Sequence, residues 1–268
     1  MAKPKLSIGH DASGDEVFAG INRHILLLGN TGSGKTTTAS HILKSYSQLG
    51  ECYQALIFDN QRTLNVARPR FTVINNPDTQ YASGLQAISD ECQRRAKFLA
   101  ENPQYEVVPT TPELPHWLVF IDEVPAIWGK LGSIVTSKSL REELQATTAL
   151  LMRTGRKYGV TFMLSSQSAM QEALGSTQFR SLCDERILHR LNGDEEIRQG
   201  SGAEPSELPS HGLLRGEFWA RTEYTGGAYV KARSDSPEVI DFANSLARDS
   251  RYKQIIGSFI ERGLDDDT

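Results

Sequence analysis

Residues 29 to 36 read Gly29-Asn30-Thr31-Gly32-Ser33-Gly34-Lys35-Thr36: a glycine, four spacer residues, then Gly-Lys-Thr, directly behind the apolar run Ile25-Leu26-Leu27-Leu28. This pattern restricts the fold more than any other stretch, because it works only as the turn between a buried strand and a helix. The glycines let backbone N–H groups close around phosphate oxygens. Lys35 reaches the terminal phosphates, and the Thr36 hydroxyl suits a Mg2+ ion. The stretch Thr37 to Leu49 then reads as a helix whose N-terminal dipole faces the same anion. A nucleoside triphosphate is therefore expected against residues 29–37, with Thr36 also a metal ligand.

Composition limits what can surround this motif. The 268 residues, 38% hydrophobic and 23% charged, are those of a globular chain with material for a sizeable core, and one large domain with a short tail is expected. No run approaches the roughly 18 apolar residues of a membrane span, and Met1-Ala2-Lys3-Pro4-Lys5 lacks the apolar segment of a signal peptide, so a cytoplasmic location is expected. Cys52, Cys92 and Cys183 lack metal-ligand spacing and read as small buried or neutral residues. A net charge of −4 argues against a generally basic coat for nucleic acid, so any polyanion would need a local basic surface.

Periodicity alternates between strand and helix, which predicts an α/β fold with a mostly parallel central sheet flanked by helices. Strands are expected at residues 24–28, 55–59, 71–74, 117–121, 161–165 and 186–191, and helices at 35–49, 81–100, 140–158 and 236–246. The segment 102–115, with four prolines, reads as a loop, and the last residues, 264–268, as a frayed acidic end.

A second constellation is Trp117-Leu118-Val119-Phe120-Ile121-Asp122-Glu123, where an apolar strand delivers two adjacent carboxylates and resembles a Walker B segment. Ionised carboxylates at a buried strand end are costly unless a cation offsets them. Asp122 is expected to hold Mg2+ and Glu123 to polarise the attacking water; the alternative is an acidic pair in a surface turn. Gln167, just past the strand 161–165, either orients that water and senses the γ-phosphate or is an ordinary loop glutamine.

From Ser7 to Arg233 the chain resembles the motor domain of the FtsK/SpoIIIE DNA translocases, within the FtsK-HerA group of P-loop ATPases. The resemblance is carried by the approach 8–14 and His24, the Gly-x-Thr-Gly-Ser-Gly-Lys loop, Asp59, Glu91-Cys92-Gln93-Arg94-Arg95, and Arg156 to Thr161 leading to Gln167. It implies a RecA-like P-loop NTPase core at 23–235, N-terminal strands at 1–22 packed on that motor, and a C-terminal helical tail at 236–268. ATP and Mg2+ are the implied cofactors. Lys35, Glu123, Gln167 and Arg186 are implied as catalytic, Arg186 as a finger reaching a neighbouring subunit's nucleotide. A homo-oligomeric, hexameric ring around double-stranded DNA follows. Arg198 matches a DNA-touching pore loop, and Arg215 and Arg221 are placed near a second. For each of these arginines the alternative is a solvated charge or an intrachain salt bridge. Arg94 and Arg95 are expected on a helix surface or subunit contact.

The chain departs from the family pattern in having no membrane-spanning N-terminal region or linker, and too few residues after the core for a winged-helix module. A plasmid, phage or mobile-element DNA translocase is the expectation, docked on a membrane-protein or capsid partner. The alternatives are a viral genome-packaging ATPase and a module of a protein secretion system.

Overall fold

The computed structural model of the chain describes residues 4–68, 70–75, 79–128, 135–208 and 212–234. The strands among them are β1 (Lys5–Asp11), β2 (Glu16–Gly20), β3 (Ile25–Leu28), β4 (Tyr53–Phe58), β5 (Thr72–Ile74), β6 (His116–Ile121), β7 (Val160–Ser166), β8 (Glu185–Leu188), β9 (Glu217–Arg221) and β10 (Val230–Arg233). The helices are α1 (Lys35–Ser47), α2 (Thr79–Glu101), α3 (Val124–Trp128), α4 (Lys138–Thr154), α5 (Gln171–Leu174), α6 (Thr177–Leu182) and α7 (Asp194–Ser201).

All ten strands join one sheet in the order β2-β1-β10-β9-β8-β3-β7-β6-β4-β5. From β8 to β5 every pairing is parallel, and these are the six strands expected from the apolar runs. β3, β6 and β7 are buried along their whole length, which is why they read as unbroken apolar runs and not as alternation. Beyond β8 the direction reverses: β9, β10, β1 and β2 pair antiparallel in succession. The N-terminal strands are thus hydrogen-bonded into the sheet itself.

Alternate residues feed two cores. Ile25 and Leu27 face α1 (Ala39, Ile42, Leu43, Tyr46), whereas Leu26 and Leu28 share a core with α2, α3 and α4. The expected helix 140–158 starts earlier, capped by Ser137, and changes to a 3-10 turn at Gly155 that Gly159 ends in the left-handed region, φ 70°. The proline-rich segment 102–115 is a loop, seated by Val108, which donates its N–H to the Lys157 carbonyl.

Arg95 departs from expectation. It is not on a surface: its side chain is 0% exposed. Its guanidinium donates to Glu91, to the Tyr158 carbonyl before β7 and to the Pro115 carbonyl before β6. A buried charge persists here because each guanidinium nitrogen has an acceptor and an acid stands one helical turn away. Arg94 remains exposed, paired with Glu91. All three cysteines are free, two of them buried. Among the described residues no helix is long and apolar enough to cross a membrane. The expected helix 236–246 and the tail 236–268 lie outside the described residues.

Candidate nucleotide site

The glycine turn stands at the carboxyl end of β3, between β7 and β8, where ligands gather in open α/β sheets. Its backbone is tied to both neighbours: Gly29 N–H donates to the Ser166 carbonyl and Asn30 N–H to that of Arg190. α1 begins behind Gly34, in the left-handed region at φ 107°, with no side-chain cap and no acid in its first turn. Its first N–H groups are left to an external anion. Lys35 Nζ donates to the Gly29 carbonyl.

The acid pair faces this turn. Asp122 and Glu123 follow β6 and are each 7% exposed. Burial, then the neighbouring Asp59 carboxylate, pushes the Asp122 carboxyl up to about 6. Burial draws the Lys35 ammonium below its usual range, opposed by the charges of Glu123 and Asp122. Glu123 adopts φ 57°, a left-handed backbone that costs a non-glycine residue about 1 kcal/mol or more. The Gln167 N–H donates to Glu123 Oε1 at 3.3 Å, and the Thr31 hydroxyl donates to Gln167 Oε1 at 2.8 Å. Gln167 therefore bridges the glycine turn and the strained acid.

Together these groups line a cavity of about 190 Å3, sized for a phosphate chain. Its walls include Asn30, Thr31, Gly32, Gly34, Lys35, Thr36 and Thr37 from the turn, and Asp122, Glu123 and Gln167 from the strand ends. Gly29 and Ser33 lie buried in the same turn. Two further residues complete the lining, Gln61 and Arg215. Gln61 was missed from the sequence; it follows β4 as Gln167 follows β7, and that position was the available signal. Its loop is held by Asp59, whose carboxylate accepts the N–H groups of Thr63 and Leu64.

The other arginines stand apart from this cavity. Arg186, on β8, donates to the Gly200 and Arg180 carbonyls at 2.6 and 3.1 Å. Arg198 is exposed on α7 and paired with Glu195 and Glu204. Arg221 lies opposite Arg186 across the β8–β9 pairing, its guanidinium 5.5 Å from the Tyr229 ring centre.

A glycine turn between strand and helix, facing an acidic strand end, defines a P-loop nucleoside-triphosphate-binding fold. Residues 17–90 match the family described as Helicase HerA, central domain. Over that stretch the chain is similar to the HerA type of ATPase core.

Solved structures agree on the fold. The pCW3 conjugation coupling protein TcpA, in a monomer form with ATPγS, matches with a TM-score of 0.71 at 19% identity, covering 97% of this chain and 70% of that one. The cytoplasmic domain of the type VII secretion ATPase EccC of Thermomonospora curvata matches with 0.69 at 16% identity, covering 96% of this chain but 31% of that one. VirB4 of Thermoanaerobacter pseudethanolicus matches with 0.57 at 12% identity, covering 90% and 99%. A comparison with curated protein sequences gave no significant match.

Proposed function

We propose that this chain is a cytoplasmic, Mg2+-dependent ATP hydrolase that works as a homo-oligomeric, hexameric ring and moves double-stranded DNA. One observation carries the reading: Lys35 and the pair Asp122-Glu123 open into a single cavity. Lys35 neutralises charge gathering on the transferred phosphoryl group, and Glu123, held by the Gln167 N–H, accepts a proton from the attacking water. Gln167 is placed to orient that water. The Thr36 hydroxyl and the Asp122 carboxylate are the residues that would hold Mg2+, a donor set suited to an ion otherwise held by phosphates. Bound there, the ion would neutralise phosphate charge and relieve the crowding of Asp122 by Asp59 and Glu123.

The DNA reading is supported by the HerA match and by the conjugation role of TcpA. Arg198, with Arg221, is the proposed phosphate-backbone contact, giving binding that is indifferent to sequence and weakened by salt. Arg186 is the proposed finger in trans; to serve as one it must leave the Gly200 and Arg180 carbonyls. A membrane-protein or capsid partner would dock the ring.

A second reading, an ATPase module that moves protein, is favoured by the likeness to EccC. Hydrolysis measured without DNA and with duplex or single-stranded DNA, in preparations where a ring is verified, separates the two. Duplex DNA is expected to stimulate turnover; a verified ring whose hydrolysis ignores DNA but responds to a protein substrate would reverse the choice.

A further inference from the structure

We infer that Arg215 is a nucleotide-contacting arginine that acts on the phosphates of its own subunit's site, and is not part of a DNA-touching loop. The inference rests on the nucleotide reading above and adds a residue that the P-loop patterns do not contain.

The first ground is position. Arg215 lines the same cavity as Lys35, Thr36, Asp122, Glu123 and Gln167. That position is fixed through the backbone: the Gly216 N–H donates to the Ser33 carbonyl at 2.9 Å, inside the glycine turn. The two chains touch so closely that a Cβ on Gly34 would stand 2.5 Å from the Gly216 nitrogen and 2.7 Å from its α carbon. Gly216 itself sits at φ 86° and accepts the Ser234 N–H, while the Leu214 N–H donates to the Glu217 carboxylate. The segment 214–217 is thus a closed turn welded to the phosphate loop, and Arg215 rides on it.

The second ground is the state of the side chain. Arg186, Arg198 and Arg95 each donate from the guanidinium to groups of this chain. Arg215 is exposed and, among the described residues, has neither a hydrogen bond nor an ion pair. Charge points the same way. The cavity holds two carboxylates against one lysine, and a triphosphate adds several negative charges. Beside Lys35 and the Mg2+ proposed above, a planar five-donor fork matches phosphate oxygens better than any other side chain.

The test uses the full chain and three variants, Arg215→Ala, Arg215→Lys and Lys35→Ala. ATPγS affinity is read by calorimetry, turnover by phosphate release, and nucleotide-free duplex affinity by fluorescence anisotropy. Arg215→Ala is expected to weaken ATPγS binding or lower kcat by about tenfold or more, as for a lost charge-assisted pair. Arg215→Lys should recover part of that loss, and duplex affinity should be unchanged. Thermal melting of Arg215→Ala should match the parent, since the side chain is exposed. Mixed rings of Arg215→Ala and Lys35→Ala subunits should show no turnover above that of the Arg215→Ala sites they contain, because every site then lacks either its arginine or its lysine; recovery above that level would place the arginine in a neighbour's site and overturn the assignment. Unchanged nucleotide affinity and kcat, or a loss confined to DNA binding, would overturn it as well. A parent chain that fails to bind ATPγS would bring down the nucleotide reading itself, whereas a parent that binds beside an unaffected Arg215→Ala removes only Arg215.

Discussion

The two ends of the parallel sheet treat their buried charged side chains differently. At the amino ends of the strands, Arg95 has an acceptor for every guanidinium nitrogen, His24 bonds the Met152 carbonyl, and the Tyr46 hydroxyl bonds His116. Glu185 accepts the N–H groups of Gly20 and Glu223. At the carboxyl ends, Asp122 is crowded by other carboxylates, Lys35 folds back on its own loop and Glu123 sits on a strained backbone, while beside them the exposed Arg215 has no partner among the described residues. Buried polar groups that are fully paired hold a fold; groups that converge and remain short of partners await a ligand.

Substitutions at the two ends test this contrast, beginning with the largest effect. Glu123→Gln should slow hydrolysis about 1000-fold, the scale of a lost general base, while ATPγS binding survives. Normal phosphate release by that variant would remove Glu123 from the reaction. At the opposite end, Arg95→Leu should cost about 3 kcal/mol in urea unfolding, because two buried carbonyls lose their donor and Glu91 keeps only Arg94. ATPγS affinity of the folded variant should not change; a stability loss near zero would show that the network is dispensable.

Two buried acids, one at each end, give the finer comparison. The Asp122 carboxyl is held at about 6 in the folded chain, above its unfolded value near 4. Between those values the folded chain binds more protons than the unfolded one, so stability falls as pH rises through that window and stays lower above it. Asp122→Asn should therefore gain about 2 kcal/mol over the parent at pH 8 and nothing at pH 4, while hydrolysis collapses. Glu185 is likewise pushed up to about 7, by burial above all. Glu185→Gln should be stabilised by about 1 kcal/mol at pH 8, less than its shift allows because one amide oxygen replaces two carboxylate oxygens. Its advantage should vanish near pH 4, with hydrolysis unaffected throughout. Loss of hydrolysis in Glu185→Gln would break the division between the two ends.

The parallel half of the sheet was legible because strands buried on both faces write themselves as apolar runs, as Ile25 to Leu28 and Trp117 to Ile121 do. The glycine turn and the acid pair were legible because their chemistry fixes both residue type and spacing. β9 and β10 were not: each is short, with less and more exposed residues alternating, a weak signal in five or four positions. α5 and α6, of four and six residues, are too short for a helical period to show. Arg95 was misjudged because its acceptors are backbone carbonyls before β6 and β7, which no residue type announces. The adjacency of Arg215, placed from the resemblance near a DNA-touching loop, to the glycine turn was not legible because it depends on contacts across some 180 positions of chain, a scale that local pattern does not reach.

The change of direction between β8 and β9 has a mechanical meaning. In a sheet of co-directional strands, only loops that leave a strand can reach the rim above the glycine turn. One reversed strand lets a loop that enters a strand stand at that rim as well, so the segment ahead of β9 meets the glycine turn. The four antiparallel strands β9, β10, β1 and β2 form a wing that meets that rim through the Ser33–Gly216 bond, reinforced by Ser234 just after β10. Any tilt of the wing as a rigid plate, whatever pulls on it, is a lever on the phosphate loop.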